Sequence, residues 1–238
     1  YAMAACQLLA NTKAPRGRLR HRSAFPSRGT YCSHYLWDAC FSTMGVAQFN
    51  QPLAWEYLLN LCENREPDGK IPQFICSSWN RPGDSQPPLI AWAAWRLHER
   101  SARPELLRQV YEPLCGMVNW WFAARDADGD GLVEYLGRLE AGWDNSPRFE
   151  KGRIAGVDLN AYLNREMLIL SRMAEVLGHP AQAREWTARR ETHAEQIRRR
   201  LFDEQECLFF DRIVETDALH RLKTPACFMP LATGVHVE

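Results

Sequence analysis

The sequence predicts an all-α fold, an α/α toroid of paired helices, and three observations carry that reading. Apolar residues recur at helical spacing through most of the chain, connections alternate between a few residues and more than twenty, and extended segments are few and short. Helix pairs joined tightly at one end and by long loops at the other have the connectivity of a toroid, with a two-layer helical array as the alternative.

Taken in order, residues 1–10, 35–49, 54–61, 87–100 and 104–124 are amphipathic at helical period. The clearest helix is 160–177, where Leu159, Tyr162, Leu163, Met167, Leu170, Met173, Ala174 and Leu177 share one face. Gly178 follows as a C-terminal cap and Pro180 opens the next helix, 181–202. Ala183, Trp186, Ala194, Ile197 and Leu201 form the apolar stripe of that helix. Its arginines are interleaved with glutamates, so the opposite face reads as solvated rather than as a nucleic-acid patch. An extended segment is expected at 207–212. The loops 63–86 and 125–158 are rich in Pro, Gly and aromatics, and loops that long usually carry function. With no linker, repeat or low-complexity stretch, residues 1–238 read as a single domain.

Composition narrows the function. Of 238 residues 46% are hydrophobic and 24% charged, a globular balance. Twenty-nine basic residues against 29 acidic ones give no global support for nucleic-acid or anionic-membrane partners, and no apolar run reaches the ~18 residues a membrane span needs. The start lacks both an initiator Met and the basic region of a signal peptide, and is expected to lie part-way through a helix. Eight cysteines show no CxxC pair and mostly have apolar neighbours, so buried thiols in a reducing, cytoplasmic setting are expected.

Nine tryptophans, several beside Asp, Asn or Gln, are the first hint of chemistry. Sugars stack their C–H faces on aromatic rings and offer hydroxyls to carboxylates and amides. Core filling is the competing role, and it is expected for Trp92, Trp120 and Trp186. The sharpest segment is Leu139-Glu-Ala-Gly-Trp-Asp-Asn-Ser-Pro-Arg-Phe149. An apolar ring next to the Asp144 carboxyl would penalise its charged form, as a general acid requires; a plain Asx turn is the alternative. A second segment, Asp126-Ala-Asp-Gly-Asp-Gly-Leu-Val-Glu134, has the first half of an EF-hand loop, with Asp126, Asp128, Asp130 and Glu134 as candidate ligands. Position twelve is Gly137, so the bidentate Glu of an EF-hand is missing. A solvated acidic turn is the alternative to a structural Ca2+ site.

Glu140-Ala-Gly-Trp-Asp144 resembles the Glu-Ser-Gly-Trp-Asp signature of trehalases and related (α/α)6-barrel glycosidases. Asn145-Ser-Pro-Arg-Phe149 and Val157-Asp-Leu-Asn-Ala-Tyr-Leu163 are more similar to glycoside hydrolase family 63, which includes mannosylglycerate hydrolase. Ser27-Arg-Gly-Thr-Tyr31, Tyr35-Leu-Trp-Asp38, Pro67-Asp-Gly-Lys-Ile-Pro72 and Ser85-Gln-Pro-Pro88 fall in the family's order. The resemblance implies a six-hairpin toroid, incomplete here at both ends, that hydrolyses an α-linked glucoside or mannoside with inversion. It implies Asp144 as the general acid, Trp37, Asp38 and Gln86 at the sugar, Trp143 in the pocket wall, and Tyr35 as a further pocket residue. It also favours calcium in the acidic loop. About seven helices are expected from periodicity, fewer than six hairpins need, and the general base is expected outside this chain. The partners implied are an oligosaccharide or small glycoside, with no organic cofactor. A non-catalytic carbohydrate-binding or scaffold protein is the alternative, and a sugar epimerase or lyase is the other enzyme class that such toroids host.

Overall fold

The structure is a computed structural model that describes residues 1–79 and 83–236. The chain divides into two compact units, Tyr1–Met117 and Val118–Glu238. No helix among the described residues is long and apolar enough to cross a membrane.

In the first unit, helix α1 (Ala2–Ala10) leads into β1 (Thr12–Lys13), which pairs antiparallel with β2 (Ser23–Ala24). Strand β3 (His34–Tyr35) runs directly into α2 (Leu36–Val46), and α3 (Gln51–Glu63) follows. Strand β4 (Phe74–Ile75) pairs antiparallel with β3, then come α4 (Ile90–Arg100) and α5 (Pro104–Arg125), whose last turns belong to the second unit. Helices α2, α3 and α4 pack on one another through Leu36, Ala39, Leu58, Leu61, Ala93 and Leu97, all wholly buried. Each buried leucine of that kind contributes roughly 1.5–3 kcal/mol over leaving it in water. Asn50 starts α3 by accepting the Leu53 N–H at 3.1 Å, with Pro52 in the first turn where no N–H is needed.

The second unit is built on a helical hairpin. Strand β5 (Glu134–Tyr135), the one-turn α6 (Arg138–Ala141) and β6 (Ile154–Ala155) precede α7 (Val157–Val176) and α8 (Pro180–Leu201). Gly178, at φ +81°, ends α7: its N–H donates to Glu175 O at 3.1 Å and the His179 N–H to Ala174 O at 2.8 Å, the paired bonds of a Schellman cap. Pro180 then starts α8. The stripe expected on α8, from Ala183 to Leu201, is buried as the period requires. Strands β7 (Phe202–Asp203) and β8 (Leu208–Phe209) form a hairpin, β9 (Asp211–Ile213) and β10 (Ala218–His220) follow, and α9 (Met229–Thr233) packs on α7.

Helices dominate, as the periodicity predicts. The all-α expectation needs one correction: β10, β9, β6 and β5, in that order, form a four-stranded antiparallel sheet. Its strands are two or three residues long, too short to show alternation in sequence. The cysteines need another: Cys40, Cys62 and Cys227 are buried, and burial pushes the Cys62 thiol up to about 12, but Cys6, Cys32 and Cys207 are exposed. Trp120 and Trp186 fill the core as expected, whereas Trp92 is only half-buried.

Candidate active site

Tyr35, Trp37, Asp38 and Gln86 belong to the first unit and gather at the start of α2. Tyr35, paired with Phe74 across the β3–β4 ladder, is still extended, and the Leu36 N–H donates to Gln73 O at 3.0 Å as the helix begins. Trp37 and Asp38 therefore sit on the first helical turn, where backbone N–H groups lack partners within the helix. One of those donors is satisfied from far along the chain: the Trp37 N–H donates to Oε1 of buried Gln86 at 3.3 Å. Tyr35, Trp37 and Asp38 are half-buried. The Tyr35 ring lies 5.0 Å from Phe74 and 5.9 Å from Tyr31, and the Trp37 ring 5.9 Å from Phe41. Burial raises the Tyr35 phenol above its ordinary pKa, and neighbouring Cys76 and Asp38 add to the shift. Ring faces beside a carboxylate, a phenol and an amide suit a polyol.

Trp143, Asp144 and the acidic loop belong to the second unit. Gly142, at φ +70°, ends α6 in a conformation only glycine adopts freely. Residues 143–146 then form a tight turn closed by Ser146 N–H to Trp143 O at 2.9 Å. Ser146 caps a 3-10 turn over Pro147–Phe149 by accepting the Arg148 N–H at 3.4 Å. The turn alternative is thus real, but Ser146 is its cap. Asp144 at its tip is exposed and makes no hydrogen bond among the described residues, so its carboxylate is available to a ligand. The Trp143 ring is faced by the Arg148 guanidinium at 5.2 Å and packs against the buried cluster around Val157 and Ile197.

Two buried ion clusters hold the turn at its ends. Upstream, Glu140 accepts the Leu136 N–H at 2.8 Å and pairs with Arg125 at 3.0 Å. Downstream, Arg148 is 0% exposed and donates to both oxygens of Asp158 (2.6 and 3.1 Å) and of Asp211 (both 2.7 Å). The two carboxylates hold the guanidinium pKa above its already high value, against the opposing penalty of burial. Asp211 also accepts the Val157 N–H at 2.9 Å, tying β9 to the start of α7. Sequence reasoning assigned no role to Arg148, Asp158 or Asp211. The available signal was a carboxylate beside apolar residues, in Val157-Asp-Leu159 and Phe209-Phe-Asp211.

Of the four candidate metal ligands, the structure brings three together. Asp126, Asp128 and Asp130 each place a carboxylate oxygen within 4.8 Å of the others. They accept backbone N–H groups of their own loop, and Oδ1 of Asp126 is buried without a partner. Burial, then the charges of Asp130 and Asp128, push the Asp126 pKa up. Glu134 is not one of that trio: it is buried, pairs with Arg153 at 3.1 Å and accepts the Ala127 N–H of the acidic loop.

The helical frame carries a half-buried carboxylate, Asp38, and an exposed one, Asp144, and comparison with known proteins gives the family. Residues 31–238 match the mannosylglycerate hydrolase MGH1-like glycoside hydrolase domain, and the chain belongs to that family. Mannosylglycerate hydrolase MGH1 of Selaginella moellendorffii is 28% identical over 166 residues, 60% of this chain and 34% of that protein. The chain therefore spans about a third of the length of that curated relative. The GH63 mannosylglycerate hydrolase of Thermus thermophilus, solved with glucose, is 25% identical, with a TM-score of 0.85 over 99% of this chain and 72% of that one. Neutral trehalase Nth1 of Saccharomyces cerevisiae, at 17% identity, shares the fold with a TM-score of 0.76 over 91% of this chain and 53% of its own.

Proposed function

We propose that the chain is part of an (α/α)6-toroidal glycoside hydrolase that cleaves an α-linked glucoside or mannoside with inversion, with Asp144 as the general acid. The observation that carries this reading is a free carboxylate at the tip of a turn whose two ends are fixed by buried ion pairs, in a chain of this family. Asp144 protonates the glycosidic oxygen while a second carboxylate, roughly 6.5–9.5 Å away, activates water on the opposite face of the sugar. Glu140, Asp158 and Asp211 are committed to arginines and do not supply that base. Tyr35, Trp37 and Asp38 bind the sugar. Gln86, whose oxygen is taken by Trp37, offers its amide N–H groups to a hydroxyl.

The acidic loop is proposed to hold a structural calcium ion on Asp126, Asp128 and Asp130. Three convergent carboxylates and the unpartnered Asp126 oxygen fit a hard cation with flexible oxygen coordination. Such an ion would stiffen the loop and take no part in the chemical step.

In the full-length enzyme, Asp144→Asn is expected to lower kcat at least ~10²-fold on an ordinary glycoside, with a smaller loss on substrates whose leaving group needs little protonation. A product screen across trehalose, kojibiose, nigerose and mannosylglycerate names the substrate. Near-normal turnover by the variant would remove Asp144 from the mechanism. Sugar binding without any product would make the protein a lectin-like relative.

A further inference from the structure

Cys32 and Cys76 line the same cavity of the first unit, a space of about 480 Å³; Cys32 is exposed and Cys76 half-buried. The β3–β4 ladder sets how near they stand. His34 pairs with Ile75 and Tyr35 with Phe74, and the same register carried one residue further puts Ser33 opposite Cys76. A hydrogen bond of 3.0 Å between Ser33 Oγ and Cys76 Sγ agrees with that placement. Cys32 is the next residue, one step off register from Cys76. Opposite residues of such a ladder lie roughly 4.5–5.5 Å apart at Cα, and a disulfide spans roughly 4.4–6.8 Å. Residues 28–32 are all exposed, and the Cys32 thiol donates to Gly29 O at 3.1 Å, within that loop. The loop can therefore turn Cys32 toward Cys76 without stranding a buried group.

The charge of the cavity suits sulfur chemistry. Its lining holds two cations, Lys13 and Arg16, and no carboxylate, and neither cation forms an ion pair among the described residues. Arg16 is fixed in place. It exchanges both backbone hydrogen bonds with Leu19, at 2.8 and 3.1 Å, and the Arg18 N–H donates to Ser77 O, beside Cys76, at 2.9 Å. A thiol attacks an oxidant as its anion, and reactive thiols sit in partly exposed, electropositive surroundings of this kind. Cys6 and Cys207 are also exposed but lie outside the cavity.

We infer that Cys32 and Cys76 are a redox pair that a hydroperoxide converts to a disulfide. One thiolate attacks the peroxide, the O–O bond breaks, the alcohol leaves (water, for hydrogen peroxide) and the sulfur becomes a sulfenic acid. The second thiol attacks that sulfur, the S–O bond breaks, water leaves and the S–S bond forms. Two thiols are oxidised and one hydroperoxide is reduced, and a dithiol reverses the bridge. The bridge ties the exposed loop to β4 on either side of Tyr35, whose ring lies 5.9 Å from Tyr31 of the loop and 5.0 Å from Phe74 of β4. Its consequence for sugar binding rests on the glycosidase reading; the bridge itself does not.

The test treats the reduced, intact protein with hydrogen peroxide, blocks remaining thiols with N-ethylmaleimide and maps unreduced peptides by mass spectrometry. A linked Cys32–Cys76 peptide is expected, lost on adding dithiothreitol, and formed at least about threefold faster than Cys6 or Cys207 is oxidised. The Lys13→Ala/Arg16→Ala variant should slow the link by a similar factor, because the attacking anion loses its cations. Cys76→Ser should leave a sulfenic acid on Cys32 that dimedone traps. In the full-length enzyme, peroxide should raise KM for the glycoside it cleaves, and Cys32→Ser should remove that response. Oxidation spread evenly over Cys6, Cys32 and Cys207, with no linked peptide, overturns the pair. A KM response that survives in Cys32→Ser overturns its tie to the sugar site. Cleavage of no glycoside at all would remove the sugar reading and leave the mapped bridge to decide the pair.

Discussion

The second unit contains two charged clusters built in opposite ways. Arg148, Asp158 and Asp211 are sealed from water, at 0, 0 and 4% exposure, and nearly every polar atom among them is paired. Asp126, Asp128 and Asp130 lie at the surface, satisfied mainly by their own backbone, with Arg200 reaching Asp130 at 2.6 Å and then Asp217. In the first cluster one cation faces two anions, and the surplus negative charge is met by the Val157 N–H and the positive N-terminal end of α7, where Asp158 sits. In the second, among the described residues, only one of the three anions, Asp130, meets an arginine. A buried cluster fixes geometry because no solvent can replace a lost partner. An exposed one responds to salt and ions because solvent always can.

The largest expected effect follows from that contrast. Arg148→Met removes the guanidinium and leaves Asp158 and Asp211 buried side by side, and breaking a buried pair from one side costs about 3–5 kcal/mol. The urea midpoint should fall accordingly. Arg148→Lys should recover part of the loss, because it restores the charge without the planar fork that grips two carboxylates at once. If Arg148→Met unfolds within about 1 kcal/mol of the parent, the cluster does not anchor the turn that carries Asp144.

His193 tests how the acidic loop, despite its surface position, is fastened to the unit. Val133, just after the loop, donates its N–H to Asn160 Oδ1 at 2.8 Å and accepts from Asn160 Nδ2 at 2.9 Å. His193 is buried with Nε2 3.0 Å from that same oxygen, so Nε2 carries the proton in this tautomer. Burial, helped by the Arg189 charge, lowers the His193 pKa from 6.5 to about 3. The unfolded chain therefore binds a proton that the folded one excludes. The stability this contributes is complete above about 6.5 and is lost as pH falls toward about 3, at up to about 1.4 kcal/mol per pH unit. Between pH 7 and pH 5 the parent should lose about 2 kcal/mol more than His193→Gln. Parallel pH profiles for the two proteins would mean that His193 is protonated as readily in the folded state as in the unfolded one.

These clusters also mark where sequence reading succeeds. Helix α7 was legible because an apolar face repeated at helical period for twenty residues, and its end because Gly178 and Pro180 have local conformational demands. The turn at residues 143–146 was legible from Asn-Ser-Pro, and the three aspartates from their spacing. What stayed hidden is non-local. Arg148 meets Asp211 across 63 positions, and Gln86 meets the Trp37 N–H across 49, so neither has a local pattern to betray it. The ion pair of Glu134 was hidden for the same reason. Its spacing fits a ligand loop, but its partner Arg153 arrives through the β5–β6 pairing, which two-residue strands do not announce.

The smallest effect concerns Arg200, and it decides whether the exposed cluster is a metal loop. The Arg200–Asp130 pair is partly open to water, with side chains 21 and 17% exposed, and such a pair is worth about 1 kcal/mol or less. Arg200→Ala should therefore lower stability only slightly in metal-free buffer, by an amount that shrinks in high salt. The same arginine competes with any cation for the Asp130 carboxylate. If Asp126, Asp128 and Asp130 bind calcium, removing Arg200 relieves that competition, and the variant should gain more in Tm from calcium than the parent does. Magnesium should do less in both, because it holds its waters and demands stricter geometry than this short loop offers. A parent and a variant that both melt at the same temperature in EDTA and in calcium would leave the three aspartates as a solvated turn held by its own backbone.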